Sequence, residues 1–401
     1  MSESLVPSAW KKLALGDVLR RRTERADGSE PLLSVTQKRG VIPQDEVGRR
    51  DNSSEYKGSY WRVFPGDIVY NTMRMWQGVS GASDLSGIVS PAYTVCEPAE
   101  SVNSRFLAYL FKRPGVINKF YRMSQGLVSD TWNLRYSAFA LIEVALPPLE
   151  EQRRIVEVLA ALDAQIECQR QVVEKFGAVV HGFSEEQLSL VTRSAKTARL
   201  DEVADIGSGV TLGGEVEGGI ELPYLRVANV QDGYIDTSEM KTVRVARSEV
   251  ARYRLEDGDV LLTEGGDIDK LGRGGVWDGR IDPCICQNHI FRVRCRRDVI
   301  RPEFMAAYAG SIEGKEYFFG IAKQTTNLAT INSTQLKAML VPLPSVAEQD
   351  KFIRLMEEVR GRLNAEVVMS EKLLSLKNGL AEDLLTGRVR VPEAEAVVES
   401  L

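Results

Sequence analysis

Residues able to carry out chemistry are sparse in this chain. Only two of its 401 residues are histidines, His181 and His289, too few for a histidine metal cage or an imidazole proton relay. His289, beside Asn288, reads as a strand residue. The five cysteines (Cys96, Cys168, Cys284, Cys286 and Cys295) are scattered without a C-x-x-C pair, which spells out neither a disulfide framework nor a zinc site. Cys284 and Cys286 flank Ile285 and read as one buried strand face. Gly310-Ser-Ile-Glu-Gly314-Lys315 misses the phosphate-cradling G-x-x-x-x-G-K-[ST] spacing and has Glu316 where the hydroxyl belongs. Glu239-Met-Lys241 and Glu313-Gly-Lys315 have the E-x-K form of some nuclease sites, but so short a pattern arises by chance in a chain that is 27% charged. No Asn-Pro-Pro-aromatic motif offers base methylation. The chain reads as one that recognises rather than reacts, with no metal or cofactor of its own.

The elements that would carry such recognition come in two copies. Val144-Ala-Leu-Pro-Pro-Leu-Glu-Glu-Gln152 recurs 197 residues later as Val341-Pro-Leu-Pro-Ser-Val-Ala-Glu-Gln349. Pro65-Gly-Asp-Ile-Val69 pairs with Asp257-Gly-Asp-Val-Leu261, and Pro31-Leu-Leu-Ser-Val35 with Pro223-Tyr-Leu-Arg-Val227, each 192 residues on. Leu15-Gly-Asp-Val18 has its weaker match in Leu200-Asp-Glu-Val203. A period this long excludes a solenoid and implies duplication of one large unit.

Each copy ends in a helix with a 4-3 apolar spacing. The first runs Ile155, Leu159, Leu162, Ile166, Gln169, Val173, Phe176, Val180, Phe183, Gln187, Leu190; the second runs Phe352, Met356, Val359, Leu363, Glu366, Ser370, Leu373, Lys377, Leu380, Leu384. Such spacing marks a coiled-coil seam. Pro147-Pro148 and Pro342/Pro344 mark where the helices begin, because proline is tolerated in a first turn and excluded from the interior. A lone helix of this length leaves its stripe wet, so the two arms are expected to pack antiparallel; the rival is that each stripe packs only on its own domain. The remaining segments alternate β-branched and aromatic runs such as Ser59–Phe64, Asp67–Tyr70, Asp259–Thr263 and His289–Arg294 with turn formers. Amphipathic helices are expected at 104–122 and 302–320, and exposed glycine-rich loops at 207–219 and 265–275. The fold class is α+β with a pseudo-twofold internal duplication. Its divisions are 1–147, a first arm 148–192, 193–344, a second arm 345–391, and a disordered tail 392–401.

Composition agrees with a globular chain, at 43% hydrophobic residues and a net charge of -5. The acid is concentrated in the arms and the first domain is basic, a distribution suited to domains that touch phosphate and arms that touch protein. No apolar run is long enough for a membrane span, and the N-terminus lacks the apolar segment of a signal peptide, so a cytoplasmic location without a membrane partner is expected.

The sequence V-x-L-P-P-L-E-E-Q-R-R-I at 144–155, its copy at 341–353, and Gly379-Leu-x-x-x-Leu-Leu-Thr-Gly387-Arg-Val-Arg resemble the repeated helical regions of the specificity subunit of type I restriction-modification enzymes. Gly66–Gly78 with Gly87–Tyr93, and Gly258–Gly266 with Lys270–Gly274, are similar to elements of that family's target-recognition domains. The resemblance covers residues 10 to 391; Pro344-Ser-Val-Ala-Glu-Gln349 departs from the family's usual P-P-L-x-E-Q. It implies two target-recognition domains, each reading one half of a bipartite, asymmetric double-stranded DNA target, spaced by the antiparallel arms. It further implies that the arms dock two methyltransferase subunits using S-adenosylmethionine, and that a restriction/translocase subunit brings ATP and Mg. This chain then carries neither methylation nor cleavage.

Within that frame, Asn71, Arg74 and Gln77 follow a predicted strand, and arginine to guanine and asparagine or glutamine to adenine are the favoured bidentate pairings. Trp76 and Trp132 read as core rather than as stacking platforms. In the second domain, Thr263 and Glu264 close a strand, and Lys270 and Arg273 lie in a glycine-rich loop. Gln125, Ser129, Thr325, Thr326 and Asn327 precede the arms and are candidates for phosphate contact. For each, a solvated loop or a structural hydrogen bond is the competing reading. Two rival functions stand beside this one: a non-catalytic coiled-coil adaptor without DNA specificity, and a standalone nuclease.

Overall fold

The computed structural model describes residues 7–26, 29–48, 57–126, 131–211, 218–266, 271–324 and 329–392, with 394 and 398. Two compact units emerge: residues 1–171 with 368–401, and residues 172–367. Each unit therefore owns one mixed domain and parts of both arms. Candidates Ser129, Lys270, Thr325, Thr326 and Asn327 lie outside the described residues.

In the first unit an antiparallel four-stranded sheet has the order Leu19–Arg21, Tyr93–Pro98, Ile68–Asn71, Ser80–Ala82. The second unit repeats it as Ala204–Ser208, Ile290–Cys295, Asp259–Thr263, Gly274–Val276. A short ladder ties the ends of each domain where its arm begins: Lys11–Ala14 pairs with Glu143–Leu146, and Lys196–Arg199 with Leu340–Leu343. The weak sequence match at Leu15 and Leu200 is a four-residue helical turn in both units, Leu15–Val18 and Leu200–Val203, each with fully buried leucine.

The helix expected at 104–122 is two helices, Ser104–Leu110 and Pro114–Met123. Pro114 takes the first helical position and holds Arg113 extended before it, which breaks the run. The partner expected at 302–320 splits likewise into Pro302–Gly310 and Ile312–Ile321, where the Ser311 hydroxyl accepts from the Gly314 N–H. The expected loop at 265–275 is corrected as well. Gly274 and Gly275 are buried in the strand Gly274–Val276, paired with Leu262 and Leu261, and glycine is needed at 274 because a Cβ there would stand 2.3 Å from the Leu261 carbonyl oxygen.

The arms are continuous helices, Leu149–Thr192 and Val346–Leu384. In the first unit Ile155, Leu159 and Leu162 share a core with Leu380 and Leu384 and with domain residues such as Phe106 and Phe139. Seam and domain are thus buried together, because the early arm is covered from two sides; Val156 and Val158 are buried beyond the seam. The ion pair of Asp163 with Lys377, and of Glu151 with Arg390 at 3.3 Å, run in opposite chain directions, so the helices here are antiparallel. In the second unit Leu188, Phe352 and Met356 lie in one core. Ile166, Val173, Phe176, Val180, Val359, Leu363 and Leu373 are buried or half-buried as expected of seam positions. Leu190 is 53% exposed and Leu188 takes its place, since a helix of 3.6 residues per turn drifts away from a 3.5-residue repeat.

The tail expected to be disordered is corrected where it is described. Val391, Pro392, Ala394 and Val398 have helical backbone, and Val391 and Ala394 are buried in the first unit's core. Their apolar side chains have a hydrophobic wall to cover. Among the described residues, no helix is long and apolar enough to cross a membrane.

Candidate nucleic-acid interface

In each unit a loop leaves a strand whose first residue or preceding residue is an almost fully buried aspartate. Asp67 accepts 2.9 and 3.0 Å bonds from the Arg22 guanidinium and one of 2.9 Å from the Phe64 N–H. Asp259 accepts two 2.8 Å bonds from Arg294 and one of 2.7 Å from the Glu256 N–H. Buried charge is tolerated here because it is paired and fully hydrogen-bonded. The repeated Gly-Asp thus anchors the strand that presents the loop.

In the first unit the loop from Asn71 to Val79 is closed by its own backbone, with Asn71 N–H donating to Val79 and Gly78 N–H to Met75. Met75 plugs it into the core. Gly78 has φ +77°, and a Cβ there would stand 2.9 Å from Ile117, so the loop seats tightly on the helix Pro114–Met123. Asn71 spends its side-chain oxygen on the Met73 N–H. Arg74 is exposed and has no ion pair among the described residues. The Gln77 carbonyl accepts a 3.0 Å bond from Gln37 at a hairpin tip, which brings Gln37 and the exposed Lys38, without an ion pair among the described residues, alongside; the sequence reading missed both.

Gln125 exchanges backbone bonds with Asn133, and Leu134 N–H reaches Thr72, placing this segment beside the loop. Trp132 packs edge-on to Trp76 at 5.2 Å and to Tyr121 at 4.9 Å. These indoles are half-buried, and Tyr121 is 46% exposed. Asn71, Arg74, Gln77 and Gln125 therefore belong to one surface of polar groups around an aromatic patch.

The second unit brings fewer candidates together. Thr263 is 1% exposed inside the sheet, which removes it as a contact: its backbone continues the ladder and its side chain faces the interior. Arg273 is half-buried and donates to the Val227 carbonyl at 3.5 Å, while its buried Nε has no hydrogen-bond partner among the described residues. It braces the domain rather than lying in an open loop. Glu264 stands 2.6 Å from His289 Nδ1, and His289 sits in a turn before its strand, not within it. His289, with Gln287 and Asn288 before it, is a polar edge that a lone histidine in an apolar run did not reveal.

The E-x-K pairs are spent on structure: Lys315 bonds Asp232 at 3.0 Å and Glu239 bonds Arg226 at 3.2 Å. Cys284, Cys286 and Cys295 are buried, which pushes each thiol up to about 12. Among the described residues no group of side chains could hold a metal ion.

Where domain meets arms, each unit has a cavity, of about 950 Å³ in the first and 460 Å³ in the second. The walls correspond: Val156, Ala160 and Asp163 match Ile353, Glu357 and Arg360, and Asn378, Ala381 and Glu382 match His181, Ser184 and Glu185, all 197 residues apart.

Two α+β domains with corresponding aspartate-anchored strands, each set on long helices, define a duplicated two-domain architecture. Residues 7–175 match the family model of the type I restriction modification DNA specificity domain. The chain is 24% identical over 314 residues to the EcoKI specificity subunit of Escherichia coli, covering 74% of this chain and 67% of that one. With the MjaVIII specificity subunit of Methanocaldococcus jannaschii it shares 22% over 423 residues, 96% of this chain and 94% of that one. The chain spans about two thirds of the EcoKI and StySPI subunits. In fold it resembles the HsdS subunit of Thermoanaerobacter tengcongensis, with a TM-score of 0.52 at 19% identity over 97% of this chain and 99% of that one. A chain solved in work on assembly of the type I R-M system gives a TM-score of 0.62 at 19% identity over 96% and 100%. The likeness to the type I restriction modification DNA specificity domain thus lies in residues 7–175, and most of the chain is similar to specificity subunits of type I restriction-modification systems.

Proposed function

We propose that each domain reads one half of a bipartite, asymmetric double-stranded DNA target, and that the arms set the unspecified spacer and dock two methyltransferase subunits. The observation carrying this reading is the repeated Gly-Asp anchor beneath two loops of different sequence: one scaffold, two readouts. The cavities recur at equivalent positions of the two units, which favours two copies of one partner. S-adenosylmethionine belongs to those partners, and ATP with Mg to a restriction/translocase subunit; this chain binds none of them. The complex works on DNA in the cytoplasm. Mapping methylated bases in cells that express this chain with its methyltransferase gives both half-sites at once. Replacing residues 193–344 by the corresponding domain of a relative then changes one half-site only. A change in both half-sites shows joint reading and overturns the division.

A further inference from the structure

We propose that Lys112 is the positioning residue of the first recognition loop, a cationic clamp with no counterpart at the matching position of the second domain. The inference rests on the reading of that loop as a DNA reader. Lys112 follows the helix Ser104–Leu110 and drives its side chain to the stem of the loop, where its ammonium donates to the carbonyls of Gly78 at 2.7 Å and Ser80 at 2.8 Å. Those two carbonyls bracket the end of the segment that presents Arg74 and Gln77. No carboxylate among the described residues pairs with this ammonium.

The charged neighbours are all committed elsewhere. Asp84 pairs with Arg105, Glu382 with Arg113, Asp163 with Lys377, and Arg39 from the hairpin with Glu46. Tyr109, on the helix before Lys112, donates to Asp163. Lys38, the remaining cation lining this cavity, is exposed. Lys112 therefore keeps its charge on backbone oxygens alone, in surroundings whose burial pushes it down to about 8. Hydrogen bonds from an ammonium are about twice as strong as those from a neutral donor, so the clamp is firm below that pH and slackens above it. The matching position in the second unit, 198 residues on, is Gly310, which has no side chain with which to clamp.

The test uses the full chain with its methyltransferase partner and duplexes carrying the mapped target or a single substitution in one half-site, from pH 7 to 9. Discrimination at the first half-site is expected to fall about tenfold as pH rises through 8, while the second half-site holds as an internal control. Lys112→Arg, which stays charged, flattens the first-half-site profile. Lys112→Met shows the weak discrimination at every pH. A wild-type profile flat to pH 9 needs no variant and overturns the proposal, as does Lys112→Arg tracking the wild type. A complex that binds all duplexes equally at pH 7 instead overturns the underlying reading of the loop.

Discussion

The Arg113 guanidinium grips Glu382 through two hydrogen bonds, 3.0 and 2.7 Å long, across 269 residues of sequence. The pair joins the corner between two domain helices to the second arm. Arg113 holds the Glu382 carboxyl below the usual carboxylate range, so its contribution to stability is present above the unfolded carboxylate pKa and lost as pH falls through the folded one. Glu382→Gln is expected to cost about 1 kcal/mol at neutral pH, discounted for partial exposure, and to flatten that acid limb. Urea unfolding at pH 7 and pH 4 measures both.

Gln152 and Gln349 explain why E-Q is repeated. Gln152 accepts from Asn103 N–H and donates to the Pro147 and Ser101 carbonyls. Gln349 accepts from Arg301 N–H and donates to Pro344 and Val299. Both are almost wholly buried. Either residue changed to alanine strands three backbone groups and is expected to cost about 3 kcal/mol, read as a lowered thermal midpoint. A cost under about 0.5 kcal/mol would show that these bonds do not hold arm to domain.

Arg74 and Arg273 separate a proposed reader from a brace. Arg74→Ala is expected to relax the first half-site alone by about 1–3 kcal/mol, if the arginine reads guanine, with stability unchanged. Arg273→Ala is expected to lower the melting temperature without altering the salt dependence of DNA binding, since its guanidinium is turned to Val227. Competition binding with substituted duplexes, beside thermal melts, tells them apart.

On the proposed reading the spacer depends on both helices. At Gly177 and Gly361 an added Cβ would meet open space among the described residues, so an insertion there displaces no packed neighbour of those positions. Inserting four residues after each adds about 6 Å of helix as a stutter and is expected to lengthen the spacer by about one or two base pairs. Methylation mapping that returns the original spacer from an active complex sinks the ruler.

The departure at Pro344-Ser-Val-Ala-Glu-Gln349 turns out to be a local solution. Ser345 and Glu348 form a capping box: Ser345 N–H donates to the Glu348 carboxylate at 2.8 Å, and Glu348 N–H to the Ser345 hydroxyl at 3.3 Å. Proline positions, caps and 4-3 spacing act over a few residues, and sequence alone was sufficient to place the duplication, the arms and nearly all of the seam. What tertiary structure decided is where polar side chains end up. Asp67 meets Arg22 from 45 residues away, Glu264 meets His289 from 25, and Lys112 clamps a loop 34 residues earlier. Thr263 and Arg273 have the residue types of DNA readers but are drawn inward by sheet register and a distant carbonyl. Ala394 looks like part of a tail until the first domain gives it a surface to cover. Periodicity is a property of neighbours in the chain, whereas exposure and partnership are set by neighbours in space.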